Sequence, residues 1–446
     1  MTRKQAPSPL NFEKPYADHL AEVNETTDVV ATEDIYNSDN VLLVAKGSPL
    51  NRATVGRLKQ HALEKILDRQ VEINGCLTNK KIYEQILAML AKNPGFQEIH
   101  DSCKCANKLE QICLAEAIPV SLRNKLTVMA ERMPDEYQHS LFAAWAGIII
   151  ALEMGLSQRE AQHAFICGLF HDIGVLHLPH DLTDGRKKAL SEADWRKLQS
   201  HVVIGSMIIK ELGSYPSTVT AGILEHHERI DQTGYPTRKA GHKLSIYGQI
   251  IASGDLLYKL CSNEVTDQSN RLTASLPHFK MHQGAFREDI FNAIVCILSR
   301  CEYQPDTSLP PEQAKQQALQ LNSKLTEMEG CAARIMQLEQ PNPQPTGLQA
   351  LSAIGLSLLH TIRQSGITMD HTRDFLNTVE PANERESLSE IGAMQYELLW
   401  LFKRFSWNID ELLKGRTEWE GREQIKQLGQ ELKATLDAAW TIESVS

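Results

Sequence analysis

The sequence predicts a mainly α protein: a helical bundle, preceded by a small α/β module and followed by a further helical region. Two observations carry this prediction. From Lys80 onward the apolar residues recur at helical spacing almost without interruption, whereas runs of β-forming residues are confined to residues 28–75. Histidines and aspartates also recur every 25 to 32 residues in the middle of the chain, which is the length of one helix and its connection.

The N-terminal part divides into two predicted segments. Residues 1–25 are polar and contain three prolines, so we expect a loose leader. Residues 26–78 form the predicted α/β accessory module. Two strands, within Val29–Ile35 and Asn40–Lys46, are joined by turn residues, a helix follows over Arg52–Leu67, and Val71–Ile73 closes the module as a short strand.

The rest of the chain is predicted to be helical, in three parts: a connector over residues 79–133, a metal-binding domain over 134–301 and a C-terminal domain over 302–446. The helices are predicted by apolar spacing and by end signals such as Pro94-Gly95 and Gly155. The clearest cover Gln111–Met133 (one or two helices), Tyr137–Met154, Ser157–Phe170, Glu192–Leu212, Ser217–His227, Ile246–Leu260, Leu351–Ile362 and Trp419–Trp440. A Pro/Gln-rich connector, Gln340–Pro345, precedes the last two.

Composition narrows the functional class. The formal net charge of −10 argues against binding to DNA or RNA, where affinity comes from neutralising phosphates with Lys and Arg. The nine cysteines include no CxxC pair, and we see no secretion signal, so reduced thiols are expected. The most apolar run, Leu141–Leu152, is too short to span a bilayer. A cytoplasmic protein without a membrane span is the expectation.

The candidate metal ligands lie in or at the ends of apolar helices. Nine of the 16 histidines lie between residues 139 and 255, and ligands from consecutive helices can converge inside a bundle. A single one, such as His163 or His242, is more often an ordinary core or surface histidine, but seven candidates in this order favour a site. They are His139, His171, Asp172, His201, His226, His227 and Asp255.

Two pairs of adjacent residues, His171-Asp172 and His226-His227, sharpen the prediction. Neighbouring helical positions point about 100° apart, so both members of a pair serve one site only at a helix end or beside two metals. A carboxylate that bridges two cations is the usual way to hold them about 3.5–4 Å apart. Imidazole with carboxylate favours Fe, Mn, Zn or Ni over Mg or Ca.

Two strings resemble the signatures of the HD-GYP family, a branch of the HD phosphohydrolases. One is His171-Asp172-Ile173-Gly174; the other is His226-His227-Glu228 followed by residues 231–236, which end in Gly234-Tyr235-Pro236. His139-Ser140, the stretch Leu190–Glu192 with Trp195, His201 and Gly205, and Asp255 match further family elements in the same order. The resemblance covers about residues 134–267.

The resemblance implies an HD-GYP-type helical bundle with two divalent metals, most often iron or manganese. It implies hydrolysis of the bacterial second messenger cyclic di-GMP to pGpG or GMP. In family terms all seven candidates match metal ligands, and Asp172 is the bridging ligand that orients the metal-bound hydroxide. Some members bind a third metal through a glutamate one turn before the first histidine, where this chain has Asp135. Tyr235, with Gly234 and Pro236, is expected to contact the substrate.

Three positions depart from the family pattern. Val175 stands where the family has a lysine that contacts phosphate, and an ungapped count puts Glu264 and Asp267 at two cationic positions. Each lost charge-assisted contact to phosphate costs on the order of 1.5–3 kcal/mol. Three hypotheses follow: a cyclic di-GMP phosphodiesterase, a degenerate relative that binds a cyclic dinucleotide or a protein without turnover, and a metal hydrolase of another phosphate substrate.

The expected partners follow from the same resemblance. They are a cyclic dinucleotide and a diguanylate cyclase (GGDEF) protein that contacts the Gly-Tyr-Pro surface. The C-terminal region, 302–446, resembles no family that we recognise, and we expect it to be regulatory or to form a homodimer through its helices.

Overall fold

The computed structural model describes residues 13–115, 117–183, 192–212, 215–239, 241–262, 271–301, 309–338, 347–414 and 419–444. The chain divides into two compact units. The first contains residues up to Glu228 and Leu244–Tyr258, and the second contains Arg229–Lys243 and everything from Lys259 onward. The predicted class is confirmed, because the described residues are mainly helical and the strands are short and confined to the N-terminal module.

The N-terminal segment differs from the predicted loose leader. Residues from Glu13 to Val23 form helix α1, whose Tyr16 and Leu20 are fully buried. The reason is the spacing of its apolar side chains, which puts Tyr16, Leu20 and Val23 on one face where they can pack against the first unit. Residues 1–12, the remainder of the predicted leader, lie outside the described residues.

The accessory module has two small antiparallel sheets. Strand β1 (Val29–Ala31) pairs with β4 (Val71–Ile73), and β2 (Ile35–Tyr36) pairs with β3 (Leu42–Val44). Helix α2 (Arg52–Leu58) is shorter than predicted, because the chain after it is used for pairing instead. Ser38 N donates to Ala62 O at 2.8 Å, and Glu64 N donates to Tyr36 O at 3.0 Å.

Helices α3 (Asn79–Lys92), α4 (Pro94–Ser102), α5 (Ala106–Ala115) and α6 (Val120–Arg132) precede the long apolar helix α7 (Pro134–Glu153). Helix α8 (Gln158–Phe170) begins with a capping box between Ser157 and Glu160, as its sequence favours. Glycines allow α7 and α8 to pack closely: a Cβ on Gly168 would lie 2.4 Å from the Ala143 carbonyl oxygen. This close packing brings the helix of His139 beside the helix that ends at His171.

The remaining helices of this unit are short. A 3-10 helix (Ile173–His177) and α9 (His180–Thr183) follow α8. The helix predicted over Glu192–Leu212 is instead two helices, α10 (Glu192–Gln199) and α11 (His201–Leu212), with a break at Ser200 that puts His201 at a helix start. Ser191 and Gly213, which flank these two helices in the sequence, lie outside the described residues. Helices α12 (Ser217–Glu225) and α13 (Ile246–Ser262) complete the set, and the last residues of α13 belong to the second unit.

The second unit contains α14 (Arg271–Lys280), α15 (Glu288–Leu298), α16 (Pro311–Gln337), α17 (Leu348–Ser365), α18 (Asp370–Thr378), α19 (Arg385–Lys414) and α20 (Arg422–Ser444). Its core is a continuous apolar cluster in which Leu325, Phe402 and Leu432 are fully buried. The predicted connector Gln340–Pro345 lies outside the described residues.

The predicted domain boundary at residue 301 does not coincide with the division into units. Residues 229–243 and 259–301 group with the C-terminal helices. Specific contacts explain this: Ser357 Oγ donates to Asp231 Oδ2 at 2.6 Å, and His282 Nε2 lies 2.8 Å from Glu397 Oε1. None of the described helices combines the length and the apolar character needed to cross a bilayer.

Candidate metal centre

Three candidate histidines are oriented in the same way. Their Nδ1 atoms lie 2.7, 2.6 and 2.7 Å from the carbonyl oxygens of the residues three positions earlier, in His171, His201 and His226 respectively. A carbonyl oxygen only accepts, so each Nδ1 carries the proton and donates. In the neutral ring the lone pair is then on Nε2, which is the arrangement in which a backbone carbonyl orients a metal-binding imidazole.

The two adjacent pairs lie at helix ends. His171 follows the last residue of α8, and His226 follows the last residue of α12. At a C-terminal end the helix dipole is negative and favours a cation. The chain also leaves the helical path there, so both members of a pair can face one region.

Asp172 has its two carboxylate oxygens directed at two different sets of histidines. Oδ2 lies 3.0 Å from His171 Nε2 and 3.7 Å from His139 Nδ1. Oδ1 lies 3.1 Å from His201 Nε2 and 3.5 Å from His226 Nε2. A carboxylate with one oxygen in each of two imidazole sets has the geometry of a bridging ligand for a pair of ions.

The other candidates complete these sets. Asp255 Oδ1 lies 3.2 Å from His139 Nε2 and 3.7 Å from His171 Nε2. His227 offers a ring nitrogen to the group that contains Asp172, His201 and His226, in which the ligand atoms all lie within 4.8 Å of one another. The structure therefore brings all seven predicted ligands together, from five separate segments of the first unit.

The electrostatics of this cluster are those of a site for cations. Burial would raise the pKa of Asp172 and of Asp255, but the charge of His171 outweighs it and holds both pKa values well below their ordinary range. Burial would lower the pKa of His171, yet Asp172 and Asp255 raise it to about 10. Burial and the neighbouring His226 hold the pKa of His227 well below its ordinary value. Carboxylates that stay ionised while buried require positive charge close by.

The residues present fit divalent ions on a structural ground as well. Nε2 of His139 and both carboxylate oxygens of Asp255 are buried without a hydrogen bond among the described residues. Buried polar atoms are normally paired, and ligand atoms that lack a hydrogen bond are satisfied when they coordinate a cation. The donor set of imidazoles and carboxylates is suited to a transition metal. The cluster can therefore hold metal.

A glycine contact fixes His201 relative to the His-Asp pair. A Cβ on Gly174 would lie 2.1 Å from the His201 carbonyl oxygen and 2.8 Å from Gly205 N. No side chain fits in this space, so the 3-10 helix after Asp172 can approach the start of α11 only with glycine at this position.

The sequence did not identify two residues beside the cluster. Asp135, the predicted third-metal ligand, is exposed, whereas the pKa of Glu136 is raised by burial and by the charge of Asp172. Glu136 is therefore the acidic side chain that faces the cluster, because one residue along a helix turns the side chain by about 100°. The ring of Tyr258 stacks on His139 with centroids 4.5 Å apart.

The predicted substrate residues lie in the second unit. Gly234 is buried, Tyr235 is half-buried and Pro236 is exposed. The turn that precedes them is held by Asp231 Oδ1, which accepts from Thr233 N at 3.0 Å and from Thr233 Oγ1 at 2.6 Å.

Of the three residues that depart from the family pattern, only Val175 lies among the residues that the structure describes. Val175 is buried with 7% of its surface exposed, in the 3-10 helix after Asp172. An aliphatic side chain there cannot donate to a phosphate. Glu264 and Asp267 lie outside the described residues.

Comparison with known proteins is consistent with this geometry. A family model for the HD domain matches residues 97–289. The chain is 26% identical over 205 residues to the 3′3′-cGAMP-specific phosphodiesterase 3 of Vibrio cholerae, which is 44% of each chain. It is 25% identical over 172 residues to a cyclic di-GMP phosphodiesterase of Pseudomonas aeruginosa, covering 38% of this chain and 41% of the relative.

A further relative, the 3′3′-cGAMP-specific phosphodiesterase 1 of Vibrio cholerae, is 32% identical over 124 residues, which is 28% of each chain. The matched parts thus make up less than half of each of these relatives. The residues matched by the family model include the His-Asp pair and the Gly-Tyr-Pro turn. Residues 97–289 of the chain match the HD domain, and the curated relatives that the chain resembles are cyclic-dinucleotide phosphodiesterases.

Proposed function

We propose that this chain is a metal-dependent phosphodiesterase that hydrolyses cyclic di-GMP to pGpG or GMP. The single observation that carries the proposal is that the two carboxylate oxygens of Asp172 face different histidines. Oδ2 faces His171, and Oδ1 faces His201. This arrangement suits two adjacent ions of the kind used in phosphodiester hydrolysis, and iron or manganese fits the donor set best, with zinc or nickel as the alternatives.

The chain's own residues have distinct roles in this proposal. His139, His171 and Asp255 would hold one ion, and His201, His226 and His227 would hold the other. Asp172, which has one oxygen toward each set, would be shared between them and would help to orient the attacking water. Two bound divalent ions would lower the pKa of a bridging water and offset the charge of the phosphodiester. Glu136 is the side chain that we propose, in place of Asp135, for any third ion. Tyr235, with Gly234 and Pro236, is proposed to contact a base or the sugar-phosphate backbone.

The names of the relatives support a cyclic dinucleotide as substrate but include two kinds, cyclic di-GMP and 3′3′-cGAMP. Both present the same phosphodiester chemistry to the metals and differ in one base. The discrimination between them therefore depends on residues that contact the bases, and we propose cyclic di-GMP as the first substrate to test.

A second candidate function is binding of the dinucleotide without turnover. Val175 favours it, because this buried aliphatic residue replaces a lysine that would contact phosphate. In that case the metal cluster would be retained while the substrate is held in an unreactive position. A third candidate is hydrolysis of a smaller phosphate substrate, which needs fewer cationic contacts.

One experiment separates these candidates. The purified full chain is analysed for Fe, Mn and Zn, reloaded with each metal, and incubated with cyclic di-GMP or 3′3′-cGAMP while products are followed by chromatography. Formation of pGpG or GMP by the wild type, and its loss in Asp172→Ala, supports the proposal. His242→Gln is the matched control, because His242 is exposed and lies outside the cluster.

The other outcomes are equally informative. A protein that binds metal and the dinucleotide but forms no product would favour the second candidate function, binding without turnover. A protein that binds metal but neither binds nor hydrolyses the dinucleotide, and that hydrolyses a simple phosphodiester such as bis-p-nitrophenyl phosphate, would favour the third candidate function. A protein that takes up no metal under any condition would overturn the proposal as a whole.

Protein partners are a further part of the proposal. A diguanylate cyclase (GGDEF protein) would contact the Gly-Tyr-Pro surface, and a homodimer would form through the C-terminal helices. Exposed indole rings on α19, at Trp400 and Trp407, support a contact surface in this region. Size-exclusion chromatography with light scattering, on wild type and Trp407→Ser, tests the dimer.

A further inference from the structure

A second cluster of metal-ligand side chains lies apart from the centre already described. His19 and Glu22 come from one face of α1, and His180 is the first residue of α9. One donor atom from each lies within 4.8 Å of the others, and the rings of His19 and His180 have centroids 4.3 Å apart. None of the three residues was identified by the sequence, and none belongs to a family signature.

His19 lacks the partners that a buried core histidine normally has. Only 2% of its surface is exposed, yet neither ring nitrogen forms a hydrogen bond among the described residues. The Glu22 carboxylate is one candidate partner, but its Oε2 is 3.8 Å from His19 Nδ1, which is too long for a hydrogen bond. A buried imidazole with both nitrogens unsatisfied is unusual, and a ligand on one of them would account for it.

The protonation state of His19 suits a metal. Burial, together with the charges of His180, Arg132 and Lys125, lowers the pKa of His19 to about 3. The imidazole is therefore neutral near pH 7, and its lone pair is available to a cation without the release of a proton.

The charged neighbours of the cluster leave room for a cation. Lys125, the buried one, is paired with Asp68 at 2.9 Å. Arg132 Nη2 lies 2.8 Å from Glu22 Oε2, so it competes for the carboxylate, but its side chain is 40% exposed and the carboxylate has a second oxygen. Glu22 and His180 are themselves only partly buried, which provides a path for an ion from solvent.

We propose that His19, Glu22 and His180 bind one Zn²⁺ ion, with water as the fourth ligand. Two imidazoles and one carboxylate are a familiar zinc donor set, and zinc accepts three protein ligands with one open position. Small rotations of the side chains would place each donor atom about 2.0–2.2 Å from an ion held between them. The ion would tie α1 to the chain segment that begins eight residues after Asp172, and its role would be structural.

The test is a zinc count on the full chain. Wild type, His180→Gln, Glu22→Gln and His61→Gln are loaded with ZnCl₂, dialysed and analysed for zinc per chain. His61 is an exposed histidine of the accessory module and serves as the matched control. The His180 and Glu22 variants are expected to hold one zinc fewer than wild type and the control. Equal zinc content in all four proteins would overturn the proposal.

The result does not depend on the catalytic proposal, because it is a difference between variants and not an activity. Circular dichroism establishes that each variant is folded, and should His180→Gln fail to fold, Glu22→Gln, at a partly exposed position, gives the answer. Cobalt gives an independent readout: Co²⁺ in a four-coordinate N/O site absorbs strongly in the visible, and the spectrum of the Asp172→Ala protein should retain these bands. Absence of these bands from the Asp172→Ala protein would count against the site.

Discussion

Oδ1 of Asp172 lies 3.1 Å from Nε2 of His201, while the other oxygen of the same carboxylate faces His171. Nδ1 of His201 donates its proton to the Leu198 carbonyl, so in the neutral ring the nitrogen that faces Asp172 is the one with the lone pair. A carboxylate oxygen and an unprotonated ring nitrogen both present lone pairs, so they repel each other. The contact therefore requires either a proton or a cation between them, and a cation resolves all such contacts of the cluster at once.

Asp172→Asn is the sharpest test of the bridge. The asparagine amide has no negative charge and only one oxygen, so it cannot offer a carboxylate oxygen to each of the two ligand sets. We expect at least one metal fewer per chain than in wild type and a phosphodiesterase rate lower by at least about 100-fold. Elemental analysis and a product assay measure both. His163→Gln is the matched control, since His163 contacts Tyr247 Oη at 3.1 Å outside the cluster, and it should retain both metals. Full metal content in Asp172→Asn would refute the bridging role.

Gly174→Ala tests the close approach that positions His201. The added Cβ would meet the His201 carbonyl oxygen at 2.1 Å, which forces the backbone apart. We expect a loss of about 1–3 kcal/mol in the free energy of unfolding, with weaker metal uptake. Gly56→Ala is the control, because a Cβ on Gly56 meets nothing within 4 Å and lies in helix α2. Alanine there should be neutral or stabilising. If both variants melt at the wild-type temperature, the packing argument fails.

Lys125→Met tests a buried ion pair between the accessory module and the helical part of the first unit. Lys125 Nζ lies 2.9 Å from Asp68 Oδ1 and 2.8 Å from His177 Nε2, and it is fully buried. Removal of one partner leaves the other charge buried alone, so we expect a loss of about 3–5 kcal/mol in the free energy of unfolding. The double variant Lys125→Met/Asp68→Leu should recover part of this loss in chemical denaturation. Additive losses would show that the two residues are not coupled.

Glu397 provides the pH dependence in the second unit. Its side chain is largely buried; burial would raise its pKa, but hydrogen bonds from His278 and His282 lower it from 4.5 to about 2. Because the folded pKa is depressed, the stabilisation is fully present above pH 4.5 and is lost as the pH falls toward 2. It amounts to about 3 kcal/mol at most. Thermal melting of wild type between pH 6 and pH 2.5 should show this decline, and Glu397→Gln should show a flatter one. Parallel curves for the two proteins would contradict the assignment.

The helical class and the candidate ligands could be read from the sequence, because both depend on local information. Apolar residues at helical spacing identified α7, α8 and α13 to within a few residues, and the His-Asp and His-His pairs marked the ends of α8 and α12. Errors arose where distant pairing competes with local propensity. The helix predicted over Arg52–Leu67 ends at Leu58, since the residues that follow pair with the chain around Tyr36.

Side-chain orientation is harder to predict from the sequence. The sequence favours Asp135 as the acidic residue one turn before His139, whereas Asp135 is exposed and the pKa of Glu136 is raised by burial and by the charge of Asp172. A step of one residue rotates a helical side chain by about 100°, and only the packing of α7 against its neighbours sets that rotation.

The sequence by itself determined which ligand types this chain carries, their order and the helical framework that spaces them. The tertiary structure decided which oxygen of Asp172 faces which imidazole, and it brought His19 within reach of His180 across 161 positions of sequence. The physical reason is that ligand identity and helix period are properties of short segments. Convergence in space depends instead on how closely helices pack, and here a few glycines whose missing Cβ atoms make room for backbone set that distance.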